Sequence, residues 1–186
     1  MSTDNPISQF VWPTIFSCTI VSENRIVPNS YSLSISIVPT DNSPGNISTG
    51  FRKIGYFVDT MLHNSVLICK DNPLLPSLTD ITTNIVLLPT DPYDYFVGSV
   101  LYRKFLSITE KYFHIDVISV DSSLGDRINY SIMDPEECGL DLQGDHWWNQ
   151  DSTNTGRGPD IGWGDLEELT CPRFEPRIIK GGRSEN

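Results

Sequence analysis

Seven consecutive residues in the first quarter of the chain alternate strictly between apolar and small polar side chains. In residues 31–38 (YSLSISIV), Tyr31, Leu33, Ile35 and Ile37 alternate with three serines. A period of two is typical of a β-strand with one buried face. Residues 14–21 (TIFSCTIV) are β-branched and apolar, so they predict a second strand that pairs with the first as a hairpin. The chain is therefore expected to build a sheet.

Four further segments have strand character. Residues 65–69 (SVLIC) and 81–88 (ITTNIVLL) are short apolar runs, and the segment DNPLLPSLTD between them is expected to be a loop. Residues 113–120 (FHIDVISV) alternate again, and the turn DSSLGD connects them to residues 127–132 (RINYSI). This last pair predicts another hairpin.

Two amphipathic helices are predicted between the strands. The first follows the turn-forming residues 41–50 and has one apolar stripe: Phe51, Ile54, Val58, Met61 and Leu62. The second begins near Thr90-Asp91-Pro92, where a capping residue and a proline favour a helix start. Its stripe contains Tyr93, Val97, Val100, Leu101, Phe105 and Ile108.

The predicted element order is β-β-α-β-β-α-β-β. Strands joined by hairpins and interrupted by two helices predict an α+β fold, with an antiparallel or mixed sheet and both helices on one face, related to ferredoxin-like folds. We expect a core domain at residues 10–132. Residues 133–186 show no sustained period, which predicts an irregular C-terminal extension, either free or packed on the core.

Charge divides the chain at the same place. The 186 residues carry a formal net charge of −11. Residues 134–168 hold 10 acidic residues against a single base, Arg157, and they also hold three of the four tryptophans. A net negative field repels nucleic-acid phosphates and anionic lipids, so nonspecific nucleic-acid binding is not expected.

The sequence lacks the motifs that mark several classes of protein. The sequence has no apolar run of spanning length and no leader-like start, which predicts a soluble cytoplasmic protein. The four cysteines are far apart and without a CxxC pair, so we expect free thiols. The usual nucleotide, ester-hydrolase and zinc-protease motifs are missing, which favours a non-enzymatic protein without a cofactor.

The tryptophan-bearing extension is the predicted partner-binding region. Tryptophan is a common anchor at interfaces, and here it is surrounded by carboxylates. Together they would fit an apolar groove of a partner protein whose rim carries basic residues. The predicted partner-binding residues are Trp147, Trp148, Trp163, Asp165, Glu167 and Glu168. The alternative is that these indoles cover the sheet of their own chain, and the two interpretations can coexist.

A metal site is a weaker hypothesis for the same region. Asp141, Asp145, His146 and Asp151 could gather oxygen and nitrogen ligands around a divalent cation, although their spacing fits no EF-hand loop. A solvated acidic loop is the favoured interpretation.

A cysteine nucleophile is disfavoured for two reasons. Asp59 and His63 lie four apart on the first helix and Cys69 follows, but an apolar strand makes Cys69 a core thiol. Cys138 follows two acids, Glu136 and Glu137, whose negative charge is expected to make it a poor nucleophile.

Two stretches carry a resemblance. Residues 90–105 (TDPYDYFVGSVLYRKF) and 119–126 (SVDSSLGD) combine a proline-started helix with a strand that ends in a Ser-Leu-Gly-Asp turn. In this the chain resembles small uncharacterised proteins of large tailed bacteriophages. The resemblance implies a phage origin and brings no activity or site residues.

Three functions follow from these observations. The leading hypothesis is a binding or accessory protein whose extension contacts another protein, including as an anionic decoy of a nucleic-acid-binding surface. The second is a metal-dependent enzyme with an acidic site in residues 134–151. The third is an oligomeric structural subunit, because open sheet edges favour pairing between copies.

Overall fold

The computed structural model describes residues 9–158, apart from residues 24, 42, 126 and 127, together with residues 161–163. Within this part the elements are β1 (Phe10–Ser22), β2 (Arg25–Pro39), α1 (Pro44–Tyr56), a π-helix that continues it (Phe57–Leu62), β3 (Ser65–Cys69), α2 (Leu75–Thr79), β4 (Ile85–Leu88), α3 (Asp94–Thr109), β5 (Phe113–Ser122), β6 (Tyr130–Ile132) and two 3-10 turns (Pro135–Cys138 and Trp147–Asn149). This confirms the predicted α+β class. No helix in the described part is both long and apolar enough to cross a bilayer.

The strands form one mixed sheet in the order β4-β3-β1-β2-β5-β6. The predicted hairpin of β1 and β2 is confirmed, with Phe16 opposite Tyr31, and β5 pairs with β6 as expected. The pairs β1–β3 and β3–β4 are parallel, so of the two predicted sheet types, antiparallel or mixed, the mixed one is observed. A parallel pair needs a crossover of a dozen or more residues, and the connection between Cys69 and Ile85 provides it.

That connection differs from the predicted loop in two ways. It contains the short helix α2, and β4 begins at Ile85 rather than Ile81. Ile81 is 80 % exposed, because it lies in the turn after α2 and before the paired part of the strand. The predicted strand at residues 81–88 therefore begins four residues before the observed strand β4.

The two sides of the sheet carry separate apolar clusters. The larger cluster joins α1, the π-helix and α3 to the inward residues of β2 and β5, including the alternating set from Tyr31 to Ile37. The smaller cluster contains Val21, Ile68, Leu75 and Ile85, so α2 packs there. Leu67 and Ile68 are neighbours in β3 but belong to different clusters, and successive strand residues point to opposite faces. The prediction of two helices on one face thus leaves out α2.

Close packing of α3 on the sheet depends on Gly98. A Cβ at this position would lie 2.4 Å from Ile132 and 2.7 Å from Val120. Overpacking of this kind costs roughly 1–3 kcal/mol, so we expect Gly98→Ala to lower the free energy of unfolding by about that amount in urea denaturation. Gly45 in α1 is the matched control, because a Cβ there meets only a serine hydroxyl at 3.9 Å. Gly45→Ala should be neutral or stabilising by up to ~1 kcal/mol, and equal effects at the two positions would contradict the close approach at Gly98.

Candidate functional site

The segment after β6 folds back over α3 and the end of β4, and two tryptophans hold it there. Trp147 and Trp148 are only 6 % and 5 % exposed. The Trp147 indole donates to the carbonyl of Leu87 at 2.8 Å, and the Trp148 indole donates to the carbonyl of Leu142 at 3.0 Å. Both indoles are thus packed and hydrogen-bonded within the molecule, which is the intramolecular alternative of the sequence analysis.

Ring contacts extend the same packing. Trp147 stacks at 22° on Phe57, with ring centroids 6.4 Å apart, and meets Trp148 edge-on at 5.5 Å. Trp148 in turn stacks on His146, with centroids 4.5 Å apart. Stacked and edge-on pairs of this kind add to the area that the rings bury, so the segment forms part of the core.

Two buried lysines bind this segment, one through backbone carbonyls and one through a carboxylate. Lys104 of α3 is fully buried, and its Nζ donates to the carbonyls of Trp147 and Gln150, both at 2.9 Å. Lys53 of α1 is also buried, and its Nζ lies 2.8 Å from a carboxylate oxygen of Asp151. A buried ammonium requires such partners, and here the partners come from the segment after β6.

Neither lysine was predicted as a site residue, although the position of Lys104 in the sequence carries a signal. Lys104 stands four residues after Val100 and three after Leu101, so it falls on the apolar stripe of its own helix. A cation on a core-facing stripe indicates a buried charge that needs oxygen partners from elsewhere in the chain.

Trp163 lies beside the Lys53 pair. Its ring is half-buried, with the Lys53 ammonium 4.7 Å from the ring centroid and the Tyr56 ring at 6.1 Å. Its indole donates to the carbonyl of Asp151 at 3.2 Å. Trp163 therefore keeps more exposed surface than Trp147 and Trp148. The other predicted partner-binding residues, Asp165, Glu167 and Glu168, lie outside the described residues.

The structure does not gather the four metal candidates around one point. A carboxylate oxygen of Asp141 accepts from the backbone N–H of Gln143, and Asp145 accepts from the amide of Gln150. Asp151 pairs with Lys53, and His146 stacks on Trp148. Among the residues that the structure describes, no group of three histidine, cysteine, aspartate or glutamate side chains is placed to hold a metal ion.

Three cysteines in the described part are free thiols: Cys18, Cys69 and Cys138. Burial raises the pKa of Cys18 to about 12, which keeps this thiol protonated. Cys69 is half-buried, with Sγ 4.0 Å from the carbonyl of Pro89. His63 accepts from the backbone N–H of Ser17 at 3.3 Å rather than facing a thiol.

The outer side of the segment is acidic. Asp134, Glu136, Glu137, Asp141, Asp145 and Asp151 are all exposed. Glu136 pairs with Arg103 and Asp151 with Lys53. The remaining four carboxylates make no ion pair with another described residue, and we call them the acidic surface: Asp134, Glu137, Asp141 and Asp145.

A cavity of about 420 Å³ lies between this segment and the sheet. It is lined by Lys70, Leu87, Leu88, Pro89, Asp141, His146, Trp147 and Trp148. Lys70 and Pro89 directly follow β3 and β4, so the cavity lies at the carboxyl ends of two parallel strands, where open sheets commonly bind ligands. Asp141 belongs both to this cavity and to the acidic surface.

Comparison with known proteins does not indicate a function for this chain. No protein-family model matches the chain, and no curated protein matches it in sequence. An uncharacterised protein from Wolinella succinogenes has a similar structure, with 12 % identity and a TM-score of 0.48, over 70 % of this chain and 99 % of that one. A catalytic-residue variant of Plasmodium vivax 6-pyruvoyltetrahydropterin synthase is similar with 11 % identity and a TM-score of 0.44, over 69 % and 98 %. With TM-scores below 0.5, neither similarity bears on the function.

Proposed function

We propose that this chain is a binding or accessory protein that contacts a basic surface of another protein through the acidic surface. The proposal rests on the difference between the two sides of the segment after β6. Its two indoles point into the core, whereas four carboxylates point outward without an ion pair in the described part of the chain. We therefore assign partner binding to the four carboxylates rather than to the buried Trp147 and Trp148. Trp163 is half-buried and keeps some exposed surface.

The charge of the segment sets the chemistry of the partner. Residues 134–158 carry six acids and one base, Arg157. Complementary charge accelerates encounter and selects partners, and it repels surfaces of the same sign. A protein with a cluster of lysine or arginine fits this surface, including one whose cluster otherwise binds nucleic acid. A phage or host component of this kind would agree with the resemblance noted above.

The cavity beside the acidic surface supplies a place for one partner side chain. Asp141 stands at its wall together with the apolar surface of Leu87 and Trp148. A long basic side chain can lay its methylene stem on apolar walls while its charged end meets a carboxylate. This gives the proposed interface a recessed contact as well as an exposed rim.

Neutralising the acidic surface should weaken partner capture. The variant carries Asp134→Asn, Glu137→Gln, Asp141→Asn and Asp145→Asn, which retain the oxygens that accept the local hydrogen bonds. Exposed ion pairs contribute about 0.2–1 kcal/mol each, so losing four should lower affinity by at least about fourfold. Immobilised wild-type and variant proteins are compared for capture from source-cell lysate by quantitative mass spectrometry at low and high salt.

The control neutralises four exposed acids elsewhere: Asp59→Asn, Asp71→Asn, Asp80→Asn and Glu110→Gln. This protein has the same net charge as the variant, so it should keep the wild-type partners if the position of the carboxylates matters. The proposal is wrong if the variant captures the same proteins in the same amounts as the wild type, or if the control loses them equally.

A further inference from the structure

The cavity beside the acidic surface has a largely apolar wall. Five of its eight lining residues are leucine, proline or tryptophan, and the carboxylate of Asp141 and the ammonium of Lys70 stand at the same wall. Interfaces generally combine an apolar centre with a charged rim. A cavity with this wall therefore fits a segment in which basic and apolar side chains are neighbours.

The chain itself contains a segment of that chemistry. Residues 173–183 (RFEPRIIKGGR) carry four basic residues and one acidic residue, in a chain whose net charge is −11. Arg173 and Arg177 are each followed directly by an apolar residue, Phe174 and Ile178. We call residues 173–183 the basic segment, and they lie outside the described residues. Their charge is opposite to that of the acidic surface.

The basic segment is connected closely enough to reach this surface. The indole of Trp163, the last described residue, donates to the carbonyl of Asp151 at 3.2 Å. The preceding residue, Gln150, donates to the carboxylate of Asp145 at 2.8 Å. Nine residues separate Trp163 from Arg173, and at roughly 3.3–3.6 Å per residue they span up to about 30 Å. The acidic surface lies within that span.

A segment connected in this way needs little intrinsic affinity. A short flexible connection gives an effective concentration on the order of millimolar. Contacts with a dissociation constant in the same range therefore keep the segment bound in about half of the molecules. A few exposed ion pairs together with one apolar side chain in a recess are contacts of this strength.

We propose that the basic segment docks on the acidic surface of its own chain, with an arginine and its apolar neighbour at the cavity. The basic side chains lie on the Asp141 side, because the ammonium of Lys70 repels them from the other. The segment offers the same chemistry as the basic partner, so the partner must displace it. This regulatory consequence rests on the proposed function, whereas the docking itself does not.

The test of docking is paramagnetic broadening in the ¹⁵N-labelled full chain. A nitroxide is attached to Cys171, two residues before the basic segment, in a protein that carries Cys69→Ser and Cys138→Ser. Cys18 is buried, and its raised pKa keeps the thiol protonated, so it does not take the label.

At low salt we expect the amides of residues 141–148 to be broadened. High salt should remove the effect, because screening weakens contacts between exposed charges. The amides of Ser34 and Ser119, which pair with each other in the middle of the sheet, are the internal reference and should stay sharp. The proposal is wrong if residues 141–148 are no more broadened than this reference.

Charge reversal in the basic segment supplies the matched comparison. Arg173→Glu with Arg177→Glu should abolish the broadening of residues 141–148. Arg25→Glu with Lys111→Glu gives the same net charge at two exposed positions of the core and should leave the broadening unchanged. An equal effect of the two variants would contradict docking through these arginines.

A mixed sample distinguishes docking within one chain from docking between copies. Nitroxide-labelled chain without ¹⁵N is combined with ¹⁵N-labelled chain without nitroxide. We expect no broadening of residues 141–148 in this sample. Broadening as strong as in the singly labelled chain would mean that the basic segment binds a second copy, and the proposal would be wrong.

Hexaarginine is the probe for the regulatory consequence. Arg173→Glu with Arg177→Glu should bind it about two- to tenfold more tightly than Arg25→Glu with Lys111→Glu, the factor expected if the docked state holds about half to nine-tenths of the molecules. Equal binding by the two variants, or none, would overturn the regulatory part even where broadening shows docking. Broadening in the wild type, together with unchanged partner capture after neutralisation of the acidic surface, would remove the proposed function and leave the docking.

Discussion

Trp147→Ala is expected to lower the free energy of unfolding by about 3–5 kcal/mol, the usual cost of removing a buried large aromatic ring. The substitution empties the space between Phe57 and Trp148 and removes the donor that holds the carbonyl of Leu87. Urea denaturation followed by far-UV circular dichroism measures the loss without relying on tryptophan emission. Few single substitutions in a domain of this size have a larger effect.

Trp147→Phe is the matched control, because it keeps an aromatic ring in the cluster and removes the indole N–H. The lost hydrogen bond to Leu87 leaves a carbonyl without its donor, which costs about 1–3 kcal/mol. We therefore expect Trp147→Phe to lie between the wild type and Trp147→Ala. If Trp147→Ala unfolds like the wild type but no longer captures a partner, the indole is an interface anchor and the packing described above is wrong.

The strands that carry the sheet were predictable because burial of one face leaves a period of two. The set from Tyr31 to Ile37 became the inward face of β2, and the run at residues 65–69 became β3 with the predicted bounds. The direction of β3 and β4 was not predictable. A short apolar run buried on both faces has no alternation and carries no information about whether its neighbour is parallel.

The segment after β6 shows the limit of periodicity more clearly. Its order comes from contacts that no repeat records, such as the Trp148 indole donating to Leu142 and the hydroxyl of Thr155 donating to the carbonyl of Ile85. A bridge between Val86 and Gly156 also covers part of the β4 edge. Composition rich in Gly, Asn and Asp predicted irregular backbone there, but it could not show that the irregular backbone lies on the sheet.

The same limit applies to the candidate site. The sequence placed acids and indoles together between residues 134 and 163, and the structure separates them onto the two sides of one segment. Residues that meet only through the fold cannot be paired from spacing.

Lys104→Met is expected to lower the free energy of unfolding by about 2–4 kcal/mol. Methionine keeps the apolar stem between Phe57 and Trp147 but provides no donor for the carbonyls of Trp147 and Gln150. Each buried carbonyl left without a partner costs about 1–3 kcal/mol. Part of this is offset, because burying an ammonium is itself unfavourable and methionine removes that cost. Urea denaturation of wild type and variant gives the difference.

Lys111→Met is the control for the loss of a positive charge. Lys111 lies just beyond α3 and is exposed, and substitutions at such positions usually change stability by less than about 0.5 kcal/mol. Limited proteolysis adds a local measurement, since the peptide bonds between Asp134 and Asp151 should be cut faster in Lys104→Met than in either the wild type or Lys111→Met. Equal stability and equal cutting in all three proteins would mean that the bonds from Lys104 only balance the cost of burying it, and that the indoles alone hold the acidic surface on the core.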